Sequence, residues 1–237
     1  MYHPAKSTWV NPNIEYLFND EIIEYDIKDA GISIVKQYKL LGQDDLKNLM
    51  SLDKKSCHVL LGNLQRERPG LSKALSSRFA ELRELFLYTN NLSTEKNVIS
   101  IKKDAIYTIG PCKKLKFDTI EFTPKNIYSS YIRFVNNMNI EIYYSQNGLD
   151  IKGIGDSGKN KHRLYLIDFL RKTIGYLETK NFYIKKFLRT FIDEYKKMKL
   201  DDGYYLEFNN RSVIVDAMYN YQKVVIPLVQ IVLKEMD

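Results

Sequence analysis

Cysteine is scarce: Cys57 and Cys112 are the only two among 237 residues, and neither belongs to a CxxC pair or a Cys/His cluster. That excludes a disulfide scaffold and a zinc site of familiar spacing. His3, His58 and His162 are the only histidines and are scattered without ligand-like spacing, so they read as surface or incidental core residues. No apolar run approaches the roughly 20 residues that span a bilayer. The opening Met1-Tyr2-His3-Pro4-Ala5-Lys6 has no apolar stretch of the kind a secretory signal carries. The expectation is an intracellular, cytoplasmic protein (host cytoplasm if viral) with no membrane partner. There is no GxxxxGK[ST] phosphate loop, no GxGxxG turn, no HExxH and no GxSxG. Cys57 beside His58 does not make a nucleophile–base pair, because adjacent residues on a helix do not face one spot.

What is present is an ordinary globular composition, 44% hydrophobic and 27% charged, with a formal net charge of +7. The charge is unevenly spread. Residues 150–199 hold 13 Lys or Arg against 6 Asp or Glu, while the rest of the chain holds 23 of each sign. The whole basic excess therefore lies in one 50-residue stretch, interleaved with Tyr165, Phe169, Tyr176, Phe182, Tyr183, Phe187, Phe191 and Tyr195. Clustered cations attract a polyanion and release its counterions. A solvated amphipathic helix pair with its aromatics turned to the core explains the same pattern, and both readings stand.

The pattern of residues predicts an α+β fold. Residues 1–20, with Pro4 and Pro12, read as an irregular N-terminal arm. The β-branched and aromatic run at 21–27 reads as a strand. Helices follow at about 32–42 and 43–61, the second opened by Asp44 and Asp45 at the positive end of its dipole. Pro69-Gly70 interrupts the chain. Leu71, Leu75, Phe79, Leu82, Leu85 and Phe86 then recur at helical spacing over 71–88, with Lys73, Arg78, Glu81, Arg83 and Glu84 decorating the surface. Two apolar runs, 98–101 and 105–109, flank Lys102-Lys103-Asp104 and predict a tight antiparallel hairpin. Strands are expected at 114–123, 139–145 and 149–154, then a linker at 155–160. Helices at 161–178, 181–200 and 211–235 follow, with a short strand at 204–208 between the last two. The organisation is an α+β domain over 21–155 with a helical insertion at 43–90, followed by a helical basic lobe over 156–237.

Asp26 ends an apolar strand and Asp104 sits in the turn of an apolar hairpin. If those elements pair in one sheet, the two carboxylates converge at its edge and offer oxygen ligands to Mg2+ beside a triphosphate. From spacing alone a plainer account is favoured, because Asp at strand ends and turns commonly caps backbone amides.

The order of these features resembles the palm and thumb of a family B template-dependent DNA polymerase without its exonuclease domain. Glu24-Tyr25-Asp26-Ile27-Lys28 resembles the first metal-binding motif. Ser76-Ser77-Arg78-Phe79-Ala80 is similar to the nucleotide-binding helix, Lys102-Lys103-Asp104-Ala105 to the metal-binding hairpin, and Ile151-Lys152-Gly153 to the Lys-Gly motif before the thumb. The resemblance implies a palm-like antiparallel sheet flanked by helices, then a thumb-like lobe. It implies Asp26 and Asp104 as catalytic metal ligands for Mg2+, with Lys73 and Arg78 steering a nucleoside triphosphate. DNA or RNA would be gripped by Lys152, Lys159, Lys161, Arg163, Arg171, Lys172, Lys185, Lys186 and Arg189. The sequence departs from the pattern where Lys102 replaces the hairpin's first Asp and where Gly31 replaces a Tyr beneath the nucleotide sugar. Lys102 or Lys103 beside Asp104 would take the place of a metal by stabilising the carboxylate anion. Three functions follow: a Mg2+-dependent polymerase-like nucleotidyltransferase, a non-catalytic nucleic-acid binder on a palm-like scaffold, or a structural protein (virion or assembly component) whose basic helices meet an acidic protein partner.

Overall fold

The computed structural model describes residues 3, 6–134, 140–152, 161–200 and 228. The expected linker at 155–160 and strand at 204–208 lie outside the described residues, as does the helix at 211–235 apart from Leu228. The fold is α+β, and the chain divides into two compact units: residues 1–14 with 21–127, and residues 15–20 with 128–237.

The first unit holds β1 (Thr8–Val10), the C-terminal part of β2 (Tyr16–Ile27), and helices α1 (Ala30–Gln37), α2 (Gln43–Met50), α3 (Lys54–Glu67) and α4 (Pro69–Thr89). It continues with β3 (Val98–Lys102), β4 (Ala105–Ile109), β5 (Lys116–Phe117) and the first part of β6 (Ile120–Phe134). Its strand order is β1-β3-β4-β2-β6, with β5 paired to β6. β2 runs antiparallel to β4, pairing Ile22 with Ile109 and Tyr25 with Ile106. Residues alternate across a strand. Ile23, Tyr25 and Ile27 therefore join the core beneath the helices, with Ile34, Leu61, Leu75, Leu82 and Phe86. Glu24 and Asp26 consequently point to the other face. Phe86 centres an aromatic group, its ring 4.4 Å from Phe122, 5.5 Å from Tyr25 and 6.4 Å from Phe117.

Several local expectations change. Residues 8–10 and 16–20 are strands rather than irregular arm, because β1 finds a partner in β3, with Trp9 opposite Ile101. The helix expected over 43–61 is two helices. Asp53 caps α3 by accepting bonds from the Lys55 and Ser56 amides at 2.9 and 3.1 Å, which ends continuity with α2. The Ser56 hydroxyl bond to Asp53 holds that carboxyl below its ordinary range. Along α4, Leu85 is exposed whereas Arg83, expected at the surface, is 2% exposed. Gly31 sits where α1 meets α3: a Cβ there would come within 2.7 Å of Leu61 Cδ2, so helix packing accounts for the glycine. The hairpin forms as expected, with Lys102 opposite Ala105 and Lys103-Asp104 as a two-residue turn. Lys103 has φ 58°, the positive value that such turns require, in place of the usual glycine.

The second unit holds the start of β2, the rest of β6, β7 (Ile140–Ser145), β8 (Gly148–Lys152), α5 (Lys161–Glu178) and α6 (Tyr183–Lys196). Its strands run β2-β6-β7-β8. β6 extends past the expected end at 123, because Pro124, Lys125 and Asn126 hide its second half by breaking the apolar alternation. Ile132, Ile140, Ile142 and Ile151 form one core with Phe169, Leu170, Ile174, Ile184, Leu188 and Leu228. Among the described residues, no helix is long and apolar enough to cross a membrane.

Candidate functional site

The first unit brings Asp26 and Asp104 together. β2 delivers Asp26 on the face away from the helices, and the β3–β4 turn delivers Asp104 beside it, because β4 is the neighbour of β2. Their carboxyls lie close enough for the charge of one to act on the other. Burial, and then the negative charge of Asp26, push the Asp104 carboxyl above its ordinary range, while Lys125 opposes the rise. A proton on Asp104 turns repulsion between two anions into an O–H···O bond. Asp26 Oδ1 is buried and accepts no bond from a conventional donor, which makes it the natural acceptor of that proton.

The cation of the cluster is Lys125, from β6. Its Nζ lies 2.9 Å from Asp26 Oδ2 and 3.8 Å from Glu24 Oε1. Hydrogen bonding to Asp26 raises the Lys125 ammonium above its usual range. Glu24, with a side chain only 5% exposed, also accepts a 2.6 Å bond from Asn126 Nδ2. The sequence placed compensating charge on Lys102 or Lys103. The structure seats compensating charge on Lys125, a residue with no motif to mark it. Strand pairing supplied the third member, and its register was not readable in the polar middle of β6.

For Mg2+, this arrangement offers two adjoining carboxylates and one unoccupied buried oxygen, but it sets an ammonium against Asp26. Mg2+ prefers near-octahedral oxygen ligation, usually from one or two carboxylates plus phosphates and water. Among the described residues no three of His, Cys, Asp and Glu gather as a metal-ligand group.

The Asp26–Asp104 pair has a pH signature. The folded protein holds the Asp104 proton to higher pH than the unfolded chain does. Its stabilising contribution is therefore complete below the ordinary carboxylate range, and is lost as pH rises through the raised folded value. Asp104→Asn keeps an N–H donor at every pH. We expect it to gain about 1 kcal/mol over wild type between acidic and neutral pH. Urea unfolding followed by Trp9 fluorescence across that range measures this, and a difference independent of pH would contradict the proton-sharing pair.

The nucleotide-binding candidates are not gathered here. Arg78 is engaged with Glu81 and lies 4.6 Å over the Tyr38 ring, and Lys73 is exposed on α4. No described contact of either involves Asp26, Asp104 or Lys125. The α4 cation that reaches the hairpin is Arg83, whose Nη1 donates to the Lys103 carbonyl at 2.9 Å and whose Nη2 reaches the Lys6 carbonyl at 3.5 Å. Cys57 is buried, its Sγ donating to the Leu49 carbonyl at 3.1 Å, and burial pushes its thiol up. His58 is exposed, so the two share no site.

In the second unit Lys152 is 3.6 Å from Asp150, which also accepts a 2.6 Å bond from the Tyr128 hydroxyl. Lys159 lies outside the described residues, as do the side chains of Lys161 and Arg163. Arg171 and Lys172 on α5, and Lys186 and Arg189 on α6, are exposed, while Lys185 is half-buried. Lys172 pairs with Asp168 at 2.8 Å one turn away. Lys186 and Arg189 have no ion-pair partner among the described residues. Lys172 and Lys186 line one cleft between α5 and α6, so cations of the two helices share a side. The aromatics divide: Phe169 and Phe191 are buried, whereas Phe182 and Tyr183 are 77% and 68% exposed.

No curated protein matches the chain, and the comparisons lend no support to the resemblance to a polymerase palm and thumb. A family model described as Bacteriophage PBS1 gene 130 protein matches residues 2–235. With nearly the whole chain matched, the protein belongs to the Bacteriophage PBS1 gene 130 protein family.

Proposed function

We propose that this phage-family protein binds nucleic acid, DNA or RNA, through the exposed cations of α5 and α6, and that it does so without catalysis. The observation that carries the reading is that Lys186 and Arg189, both exposed on α6, have no acidic partner among the described residues. Ion pairs within a helix satisfy Lys172 and Lys197, with Asp168 and Asp193. Unpaired neighbours keep their charge for a phosphate backbone, whose bound counterions are released on contact. The double variant Lys186→Glu/Arg189→Glu is expected to weaken binding by roughly 10- to 100-fold at low salt and to reduce the salt-dependence slope by about 1–2. Titration of a labelled oligonucleotide at several salt concentrations reads both. Unchanged affinity with an unchanged slope would leave the structural reading, in which these helices meet an acidic protein.

In this reading Lys125 takes the place that a metal ion would have between carboxylates. The reading assigns no triphosphate to Lys73 and Arg78, since Arg78 is engaged with Glu81 and Tyr38, and Lys73 lies exposed on α4 without a described contact to the carboxyl pair. Lys125→Met leaves Asp26 and Glu24 without their ammonium. The pair is partly exposed and screened, so the cost is about 1 kcal/mol. Millimolar Mg2+ is expected to restore part of that loss in the variant and to leave wild type unchanged, as read by thermal unfolding. Mg2+-dependent nucleotide incorporation by wild type that disappears in Asp26→Asn would overturn the non-catalytic reading and establish nucleotidyl transfer at Asp26 and Asp104.

A further inference from the structure

The cleft between α5 and α6 has a volume of about 550 Å3. That lies within the range of small-ligand sites, which are lined by aromatic surface with a few placed polar groups. Tyr176 and Phe187 form its wall, with ring centroids 5.5 Å apart. Tyr183 stands at its edge, two-thirds exposed, next to the equally uncovered Phe182. An isolated exposed apolar residue needs no explanation. Two consecutive aromatics left open beside an aromatic-walled cleft, with a lysine on each helix, make a specific arrangement. The polar groups are directional as well. Asn181 Oδ1 accepts the Tyr183 backbone N–H at 3.0 Å at the start of α6, which leaves its Nδ2 amide to donate outward. Glu194, also lining the cleft, provides an acceptor.

We propose that this cleft receives an unpaired nucleobase of a single-stranded nucleic acid, stacked on Tyr183 at its edge, with a flanking phosphate held by Lys186. The proposal rests on the nucleic-acid reading above and adds strand type and binding mode to it. A planar base matches flat aromatic faces, whereas a duplex keeps its bases stacked inside and presents only backbone to such a site. Asn181 and Glu194 give the base edge a donor and an acceptor without demanding one base identity.

The test compares the unaltered chain with Tyr183→Ala and with Tyr183→Trp. The probes are a labelled single-stranded oligonucleotide, the same sequence as a duplex, and a nucleoside monophosphate as competitor. The substituted side chain is exposed, so the variants are expected to fold, and circular dichroism verifies this. The alanine variant should lose on the order of 10-fold in single-strand affinity and almost nothing on duplex, while the tryptophan variant keeps its affinity. Equal losses on both probes, or no loss on either, would overturn the stacking site. Competition by the monophosphate as effective as that by the oligonucleotide would overturn the single-strand assignment in favour of a free nucleotide. The two levels separate cleanly: wild-type binding that is abolished by the Lys186/Arg189 reversal but untouched by the aromatic substitutions leaves the electrostatic reading standing and removes this one.

Discussion

Phe86→Ala is expected to destabilise the first unit by about 3–5 kcal/mol, the largest loss of any single substitution in its core. Phe86 is fully buried, and its ring meets Tyr25 on β2, Phe117 on β5 and Phe122 on β6. Removing it takes away the aromatic contacts and leaves a cavity under the two strands that carry Asp26 and Lys125 on their opposite face. Phe79, seven residues earlier on α4, is only partly buried against the same core. Phe79→Ala should therefore cost less than half as much, since its site opens to solvent rather than to a void. Urea unfolding monitored by Trp9 reports this unit selectively, because Trp9 is the single tryptophan and packs against this core. The midpoint should fall with little change in slope, the sign of a lost native contact rather than of an altered unfolded state. A Phe86→Ala loss no greater than that of Phe79→Ala would contradict this account of the core.

The same core explains why so much of the fold was legible. Where one face of an element is buried, its period is written in the residues: Ile23, Tyr25 and Ile27 alternate, and Leu71, Leu75, Leu82 and Phe86 recur at helical steps. The hairpin at 98–109 and helix 161–178 could be placed for that reason. Periodicity failed where burial is polar or local capping wins. Arg83 looks like a surface residue by charge, yet it is buried because its guanidinium serves a backbone carbonyl. The break between α2 and α3 depends on an Asp53 cap that a continuous amphipathic pattern conceals. The second half of β6 follows a proline and two polar residues, and so carries no strand signal until Tyr128.

The candidate site divides along the same line. That Asp26 and Asp104 meet follows from a strand end and a hairpin turn, both readable, together with the adjacency of β2 and β4. That Lys125 completes the cluster follows from which strand lies on the other side of β2, and that pairing spans about a hundred residues of sequence. Nothing local in Thr123-Pro124-Lys125-Asn126 encodes it. In the second unit the sequence located the cations but not their partners. Ion pairing to Asp168 and Asp193, one helical turn away, sets apart the neutralised lysines from those left for a polyanion.

Arg83→Met is the second large effect, expected at about 2–4 kcal/mol. Arg83 lies beneath the hairpin turn, where its guanidinium donates to the Lys103 carbonyl, while the Lys103 amide bonds the Ser7 carbonyl at 2.6 Å. The turn is thus held from both sides around a residue with unfavourable positive φ. Methionine keeps most of the packing volume but donates nothing, so the partly buried turn carbonyl loses a charge-assisted bond. Relief from burying a cation offsets part of the loss, which keeps the net figure below a full ion-pair break. Arg83→Lys should recover only a fraction, because one ammonium cannot reproduce the planar fork. The consequence for the site is separable from stability. If Arg83 fixes the turn, and the turn places Asp104 against Asp26, then the pH-dependent gain of Asp104→Asn should shrink when measured in the Arg83→Met background. A double-mutant cycle across the acidic range isolates that coupling. An undiminished gain would mean that the β3–β4 ladder alone sets the position of Asp104, and that Arg83 contributes stability without positioning the carboxyl pair.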